Sequence, residues 1–206
     1  MAQSGQQLPL LVQLRDDATL ENFLASAATA PLIEAVRRQS EGAGEEVVYL
    51  HGSRGSGKSH LLQGACHLAG DNALYLPLRE LVVYPPEEDL AGVETLPLVA
   101  LDDLDAVIGL EAWEDAVFGR YNRAREWGCR MLIAASGAPR EWDVSLADLR
   151  SRLCWGVFYQ LPAASDEDKQ AILQVRAARR GLYVSDEVAS CIVTRASRDL
   201  EQLLQM

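Results

Sequence analysis

The sequence predicts an α/β protein, in which a five-stranded, mostly parallel sheet leads into a small helical lid. Three observations support this. Short apolar runs alternate with segments of helical spacing as far as Leu161. One of these runs, at the head of the stretch Val47 to Leu62 (VVYLHGSRGSGKSHLL), breaks into a Gly-rich turn and resumes as a helical pattern. Beyond Leu161 the spacing is helical only.

The Gly-rich turn fits G-x-x-x-x-G-K-[ST] through Gly52, Gly57, Lys58 and Ser59, with a further glycine at Gly55. Such glycines let successive backbone N–H groups wrap an anionic phosphate without interference from Cβ atoms. Gly52, Gly55, Ser56, Gly57, Lys58, Ser59 and His60 are therefore the candidate nucleotide-binding residues of the loop. The helix starting near Lys58 points its positive end at the same phosphates. Lys58 is expected to reach the β- and γ-phosphates of bound ADP or ATP, and the Ser59 hydroxyl to ligate Mg2+. With glycine at about 7% of average usage, a chance match arises in on the order of one percent of such chains. The strand leading in and the apolar-stripe helix leading out (Leu61, Leu62, Ala65, Leu68, Ala69) supply the context the motif demands.

The remaining elements follow in order. Residues 1–18 begin with a polar tip and an exposed, extended segment around Gln7, Leu8, Pro9, Leu10 and Leu11, either a loose terminus or a docking peptide. From Thr19 to Gln39 the pattern is helical in two pieces, the first showing Leu20, Phe23 and Leu24 on one face and the second opening with Pro31. A polar connector, SEGAGEE, delivers the chain to the first strand, 47–50. A second strand is expected at 73–78, then a Pro-containing loop or very short helix, YPPEEDLAG. The third strand, 96–103, ends in two carboxylates. Beside a phosphate loop, Asp102 is expected to hold the magnesium through water, and Asp103 to orient or deprotonate an attacking water. A helix over 111–127 carries Trp113, Val117, Phe118, Tyr121 and Ala124 near one face, its aromatics reading as core, and closes at Gly128. Strands at 130–136 and 156–161 flank a short helix, 145–152, that carries Arg150 and Arg152. The sheet domain is thus expected to span 19–162 and the lid 163–206. In the lid, Ser165 and Asp168 cap a helix with Ile172, Val175 and Ala178 on one face. A second helix is expected over 185–194, and a third from Arg198 reads as truncated at Met206.

Bulk properties narrow the function classes. A formal net charge of −11 argues against a surface that grips nucleic acid directly. Cys66, Cys129, Cys154 and Cys191 form no C-x-x-C pair and read as small buried hydrophobes of a reduced compartment. With no leader-like start and no apolar run of about 18 residues, a cytoplasmic protein with no membrane partner is expected.

Several blocks in order resemble the AAA+ ATPases of the bacterial initiator DnaA group, and in particular its DnaA-related regulators that work with the replicative sliding clamp. They are QLPLL with RDDAT and ENF, YLHGSRGSGKSHLLQGAC, LVALDDLD, WEDAVFGRYNRARE, DLRSRLCWGVFYQL, SDEDKQAILQVRAARRG and SRDLEQLL, and they cover nearly the whole chain. The resemblance implies an AAA+ domain with its lid. It places an arginine finger at Arg152, a sensor 2 arginine at Arg198, sensor 1 at Ser136, and a clamp-binding peptide at Gln7 to Leu11. It implies three partners: the initiator DnaA, the β-subunit clamp of DNA polymerase III, and DNA indirectly through that clamp. The implied function is negative regulation of replication initiation, by stimulating hydrolysis on DnaA. The alternative is an autonomous ATPase of loader or motor type acting as a homo-oligomer. Four departures from the family pattern stand out. The peptide reads QLPLLV in place of QLxLPL, Ser136 replaces an aspartate, Asp103 stands where many AAA+ enzymes carry glutamate, and no helix-turn-helix DNA-binding region follows the lid.

Overall fold

A computed structural model describes residues 14–86 and 96–195. The sheet is five-stranded and parallel: β1 (Val47–His51), β2 (Ala73–Pro77), β3 (Leu98–Asp102), β4 (Arg130–Ala135) and β5 (Val157–Gln160), in the order β2-β3-β4-β1-β5. Every residue of β3 is buried, as expected for a parallel strand covered on both faces. Period-2 alternation divides the strand side chains between two cores. Tyr49, Val99, Leu101, Met131 and Ile133 pack against α4 (Glu111–Trp127) and α5 (Ala147–Leu153). On the other face Val48, Leu50, Ala100, Leu132 and Ala134 pack against α1 (Ala30–Ser40) and α2 (Lys58–Ala69). A short helix, α3 (Leu78–Leu81), follows β2, and the lid contributes α6 (Asp166–Arg179) and α7 (Asp186–Arg195). Among the described residues no helix is long and apolar enough to cross a membrane.

The helix expected at 111–127 forms over those residues and stops at Gly128, whose φ of 70° is the left-handed geometry a C-terminal glycine accepts. The lid helix α6 opens with the expected reciprocal bonds: Asp168 N–H donates to Ser165 Oγ at 3.1 Å, and Ser165 N–H to Asp168 Oδ2 at 3.0 Å.

Four expectations are corrected. The first helical piece after Thr19 is only a 3-10 turn, Leu20–Asn22, because Leu20 is drawn against Gly64 and the chain is extended at Phe23. Leu24 consequently stays exposed. On α2 the apolar stripe is displaced: Leu68 is exposed, while Gln63, Gly64 and Cys66 are buried by the incoming residues 14–20 and by the sheet. On α6 Val175 and Ala178 face solvent, and Ile172 and Leu173 pack on α7 instead. Of the cysteines only Cys66 and Cys129 are buried, while Cys154 is half-buried and Cys191 exposed.

Candidate functional site

The phosphate loop runs from the end of β1 into α2, and its glycines are set by contact as well as conformation. A Cβ on Gly52 would lie 2.4 Å from the Leu161 carbonyl oxygen, so the loop can pass beneath the end of β5 only as glycine. Gly57, the residue before α2, has φ of 99° and lies under the Phe23 ring. Lys58 is buried in the loop it punctuates, its Nζ donating to the carbonyl oxygens of Gly52 at 2.8 Å and Ser53 at 2.9 Å. Burial lowers its pKa, while the carboxylates of Asp102, Asp103 and Asp105 oppose that shift. Ser56 is buried, and its hydroxyl finds no hydrogen-bond partner. An unspent buried hydroxyl, a lysine at the centre of the loop and the N-terminus of a twelve-residue helix together fit a phosphate group.

Asp102, at the end of β3, is 2% exposed. Tyr75 Oη donates to its Oδ2 at 2.6 Å and the Asp103 N–H to its Oδ1 at 3.0 Å, and the Ser59 side chain lies nearby. Burial raises the Asp102 pKa, and the Ser59 and Tyr75 interactions oppose it. Among the described residues no group of three or more His, Cys, Asp and Glu is arranged to hold a metal. A hydroxyl near one buried carboxylate fits a magnesium ion that would take its other ligands from phosphates and water.

Asp103 departs from the sequence expectation in its surroundings. It is the one described non-glycine residue at positive φ, 52°, and its Oδ2 accepts from Arg79 Nε at 2.9 Å. Arg79 Nη2 also reaches Asp105 at 3.7 Å. Ser136 donates to Asp105 twice, through its N–H at 3.1 Å and its hydroxyl at 2.8 Å. Ser136 thus belongs to the acidic edge beside Lys58, with its donors directed at Asp105.

A cavity of about 550 Å³ opens above the loop. Its walls are the N-terminal segment (Arg15, Asp17, Phe23), the loop residues Gly55 to His60, and the lid (Ala164, Ile172, Arg176). Arg176 pairs with Asp17 across it at 3.3 Å. His60 lines the cavity, but its Nε2–H donates to the Thr19 carbonyl at 2.8 Å and its ring meets Phe23 edge-on, so it fastens the N-terminal segment to the loop.

Arg152 lies on α5 and does not line this cavity. Its guanidinium stacks on Trp155, 4.5 Å from the ring centroid, and Arg125 of α4 contacts the same ring at 5.0 Å. The turn that enters α5 is held by Glu114, buried on α4, whose carboxylate accepts the N–H groups of Gly109, Ser145 and Leu146 at 2.8, 3.2 and 2.8 Å. Gln7, Leu8, Pro9, Leu10, Leu11 and Arg198 lie outside the described residues.

Tyr75, Arg79 and Glu114 escape a linear reading. Tyr75 becomes Asp102's neighbour because β2 pairs with β3 in the register Tyr75↔Ala100, which brings same-face side chains two residues apart into reach. Arg79 arrives by the same pairing, two residues past Pro77, the partner of Asp102. Only Glu114 left a local signal, an acid on the apolar face of a helix between Trp113 and Val117.

A phosphate loop under strand order β2-β3-β4-β1-β5, an acid-tipped β3 and a helical lid define the chain as an AAA+ domain. A family model described as "Hda, lid domain" matches residues 166–206. An uncharacterized protein of Haemophilus influenzae is 39% identical over 205 residues, 98% of this chain and 88% of that protein. Domain III of the Thermotoga maritima replication initiation protein DnaA superposes with a TM-score of 0.78 at 21% identity, covering 93% of this chain and 86% of that one. AMPPCP-bound DnaA from Aquifex aeolicus gives 0.75 at 22% identity, covering 93% and 65%. The chain belongs to the Hda-like, DnaA-related AAA+ family.

Proposed function

We propose that this chain is a nucleotide-bound regulator of replication initiation that acts on the ATP site of DnaA. ADP or ATP is held by the loop Gly52 to His60, with Mg2+ on Ser59 and Asp102 and with Arg198 as the sensor 2 arginine. Gln7 to Leu11 dock on the sliding clamp, which carries the protein to DNA, and Arg152 is the finger supplied in trans. The observation that carries this reading is the position of Arg152. It is held on Trp155 at the surface, outside the cavity of its own chain, by a helix whose entry is pinned by the buried Glu114. An arginine placed there is free of its own cavity and available to a site on another molecule, where a finger stabilises charge on the transferring phosphoryl group. Magnesium, when bound, neutralises phosphate charge. The residues of this chain do the rest: Lys58 leaves the Gly52 and Ser53 carbonyls for phosphate oxygens, and Ser56 and the loop N–H groups complete the cradle.

The second reading, turnover by this chain itself, is favoured by the complete loop with Ser59 beside Asp102. Against it, Asp103, which would handle the attacking water, is engaged by Arg79 at 2.9 Å. One assay separates them: ATP hydrolysis by purified DnaA with this protein and DNA-loaded clamp, against each alone. A rate that rises only in the full mixture is expected. Arg152→Ala should remove the stimulation, by about 10³-fold or more if the finger acts as fingers do elsewhere, while clamp binding persists. Hydrolysis by this protein alone, rising with its concentration and indifferent to DnaA, would replace the regulator with a self-assembling ATPase.

A further inference from the structure

The polar side chains behind Ser59 and Asp102 form a path that leaves the nucleotide site and ends on the N-terminal segment. Asp102 is held from behind by Tyr75, whose hydroxyl donates to Oδ2 at 2.6 Å. The Gln63 side chain, one helical turn after Ser59 on α2, lies near the Tyr75 hydroxyl and opposes the upward pull that burial exerts on its pKa. Gln63 is 7% exposed, and its Oε1 accepts the backbone N–H of Arg15 at 3.0 Å, which leaves its amide N–H groups for the Tyr75 side. Donation from the Gln63 amide to the Tyr75 oxygen would give the path one polarity, from Arg15 N–H through Gln63 and Tyr75 to the Asp102 carboxylate, an arrangement in which each bond polarises the next. Two more side chains of α2 grip the same segment: His67 Nε2–H donates to the Arg15 carbonyl at 2.9 Å, and His60 to that of Thr19 at 2.8 Å. Buried polar side chains are costly to keep in a helix that otherwise packs Leu61, Leu62 and Ala65, so a glutamine and a tyrosine retained here need an account.

We propose that Tyr75 and Gln63 are positioning residues, Tyr75 orienting Asp102 toward the metal held with Ser59, and Gln63 tying that orientation to the backbone at Arg15. Magnesium–nucleotide binding and the set of the N-terminal segment are then two ends of one path. Metal-bound nucleotide then tightens the hold on the backbone at Arg15. The proposal rests on the nucleotide reading of the loop and is independent of what the peptide at Gln7 to Leu11 binds.

The test compares ADP affinity with and without Mg2+, and backbone amide exchange at Arg15, in the full chain and two variants. In the unaltered protein Mg2+ strengthens ADP binding, and Mg2+ added to saturating ADP slows exchange at Arg15 beyond ADP alone. Tyr75→Phe removes the hydroxyl and keeps the ring. It should leave metal-free ADP affinity unchanged while the gain from Mg2+ shrinks by about 10- to 100-fold, the loss typical when the partner behind a metal ligand is removed. The added protection at Arg15 should vanish with it. Gln63→Met, which spares the Tyr75–Asp102 bond, should keep the Mg2+ gain in affinity but lose the Mg2+ effect on Arg15. A residue that merely packs would weaken ADP binding equally with and without metal, and that result overturns the proposal. So does full retention of the Mg2+ gain in Tyr75→Phe, or an Mg2+ effect on Arg15 that survives in both variants. If the unaltered chain binds no nucleotide with or without metal, the nucleotide reading itself falls and takes this path with it.

Discussion

The sheet and the lid pair α6–α7 are built on opposite terms. In the sheet, β3 and all of β4 beyond Arg130 are buried, and two continuous cores sandwich the strands. In α6 no side chain is buried, and Val193 on α7, with the half-buried Ala164, Ile172, Leu173 and Ile192, makes up the cluster between the two helices. Apolar burial is the main favourable term in folding, so the sheet secures its own order and the lid draws on outside contacts. Those contacts line the cavity: Asp168, Ile172 and Arg176 face the loop and the N-terminal segment. A region that is ordered through the site it covers is suited to report what the site holds.

The comparison breaks most visibly if a charge is placed in each region. Val99→Asp puts a carboxylate into a fully buried strand and should cost more than about 4 kcal/mol, leaving no folded population in a denaturant titration. Val175→Asp, on the exposed side of α6, should change stability by no more than about 0.5 kcal/mol. Equal damage from the two would show that the lid has a core of its own.

A smaller effect is expected at the start of α6. Ser165→Ala removes the acceptor for the Asp168 N–H and should destabilise the lid by about 1 kcal/mol. Amide exchange should rise over 166–179 and remain unchanged in the sheet. Smaller again is the tie between lid and N-terminal segment. The Asp17 side chain is 43% exposed and that of Arg176 21%, so solvent screens their pair. Asp17→Asn should cost about 0.2–1 kcal/mol and weaken nucleotide binding a few-fold at most. The least perturbing test is thiol labelling at pH 8 in the native state. Cys191 of the lid should react first and Cys154 more slowly. Cys66, whose thiol burial pushes up to about 12, and buried Cys129 should react only on unfolding.

Period-2 and period-3.6 spacing, turn glycines and cap residues act over a few positions, so the linear order already determined the five strands, the 111–127 helix with its Gly128 stop, the α6 capping pair and the phosphate loop. Two helical faces, on α2 and α6, were misread because burial depends on what arrives from elsewhere: residues 14–20 cover Gln63 and Gly64, and α7 turns α6 toward Ile172 and Leu173. The same holds at the site. Lys58, Ser59 and Asp102 belong to motifs that a linear reading recovers. Tyr75 behind Asp102, Arg79 on Asp103 and Ser136 on Asp105 exist as contacts only once β2, β3 and β4 lie side by side in register. These side-chain hydrogen bonds link residues 24 to 31 positions apart, and no local periodicity encodes which strand lies beside which. The sequence by itself determined the strands, the long helix and the Gly-rich loop between β1 and α2. The tertiary structure alone decided which donors would hold the acids, and where Arg152 would stand.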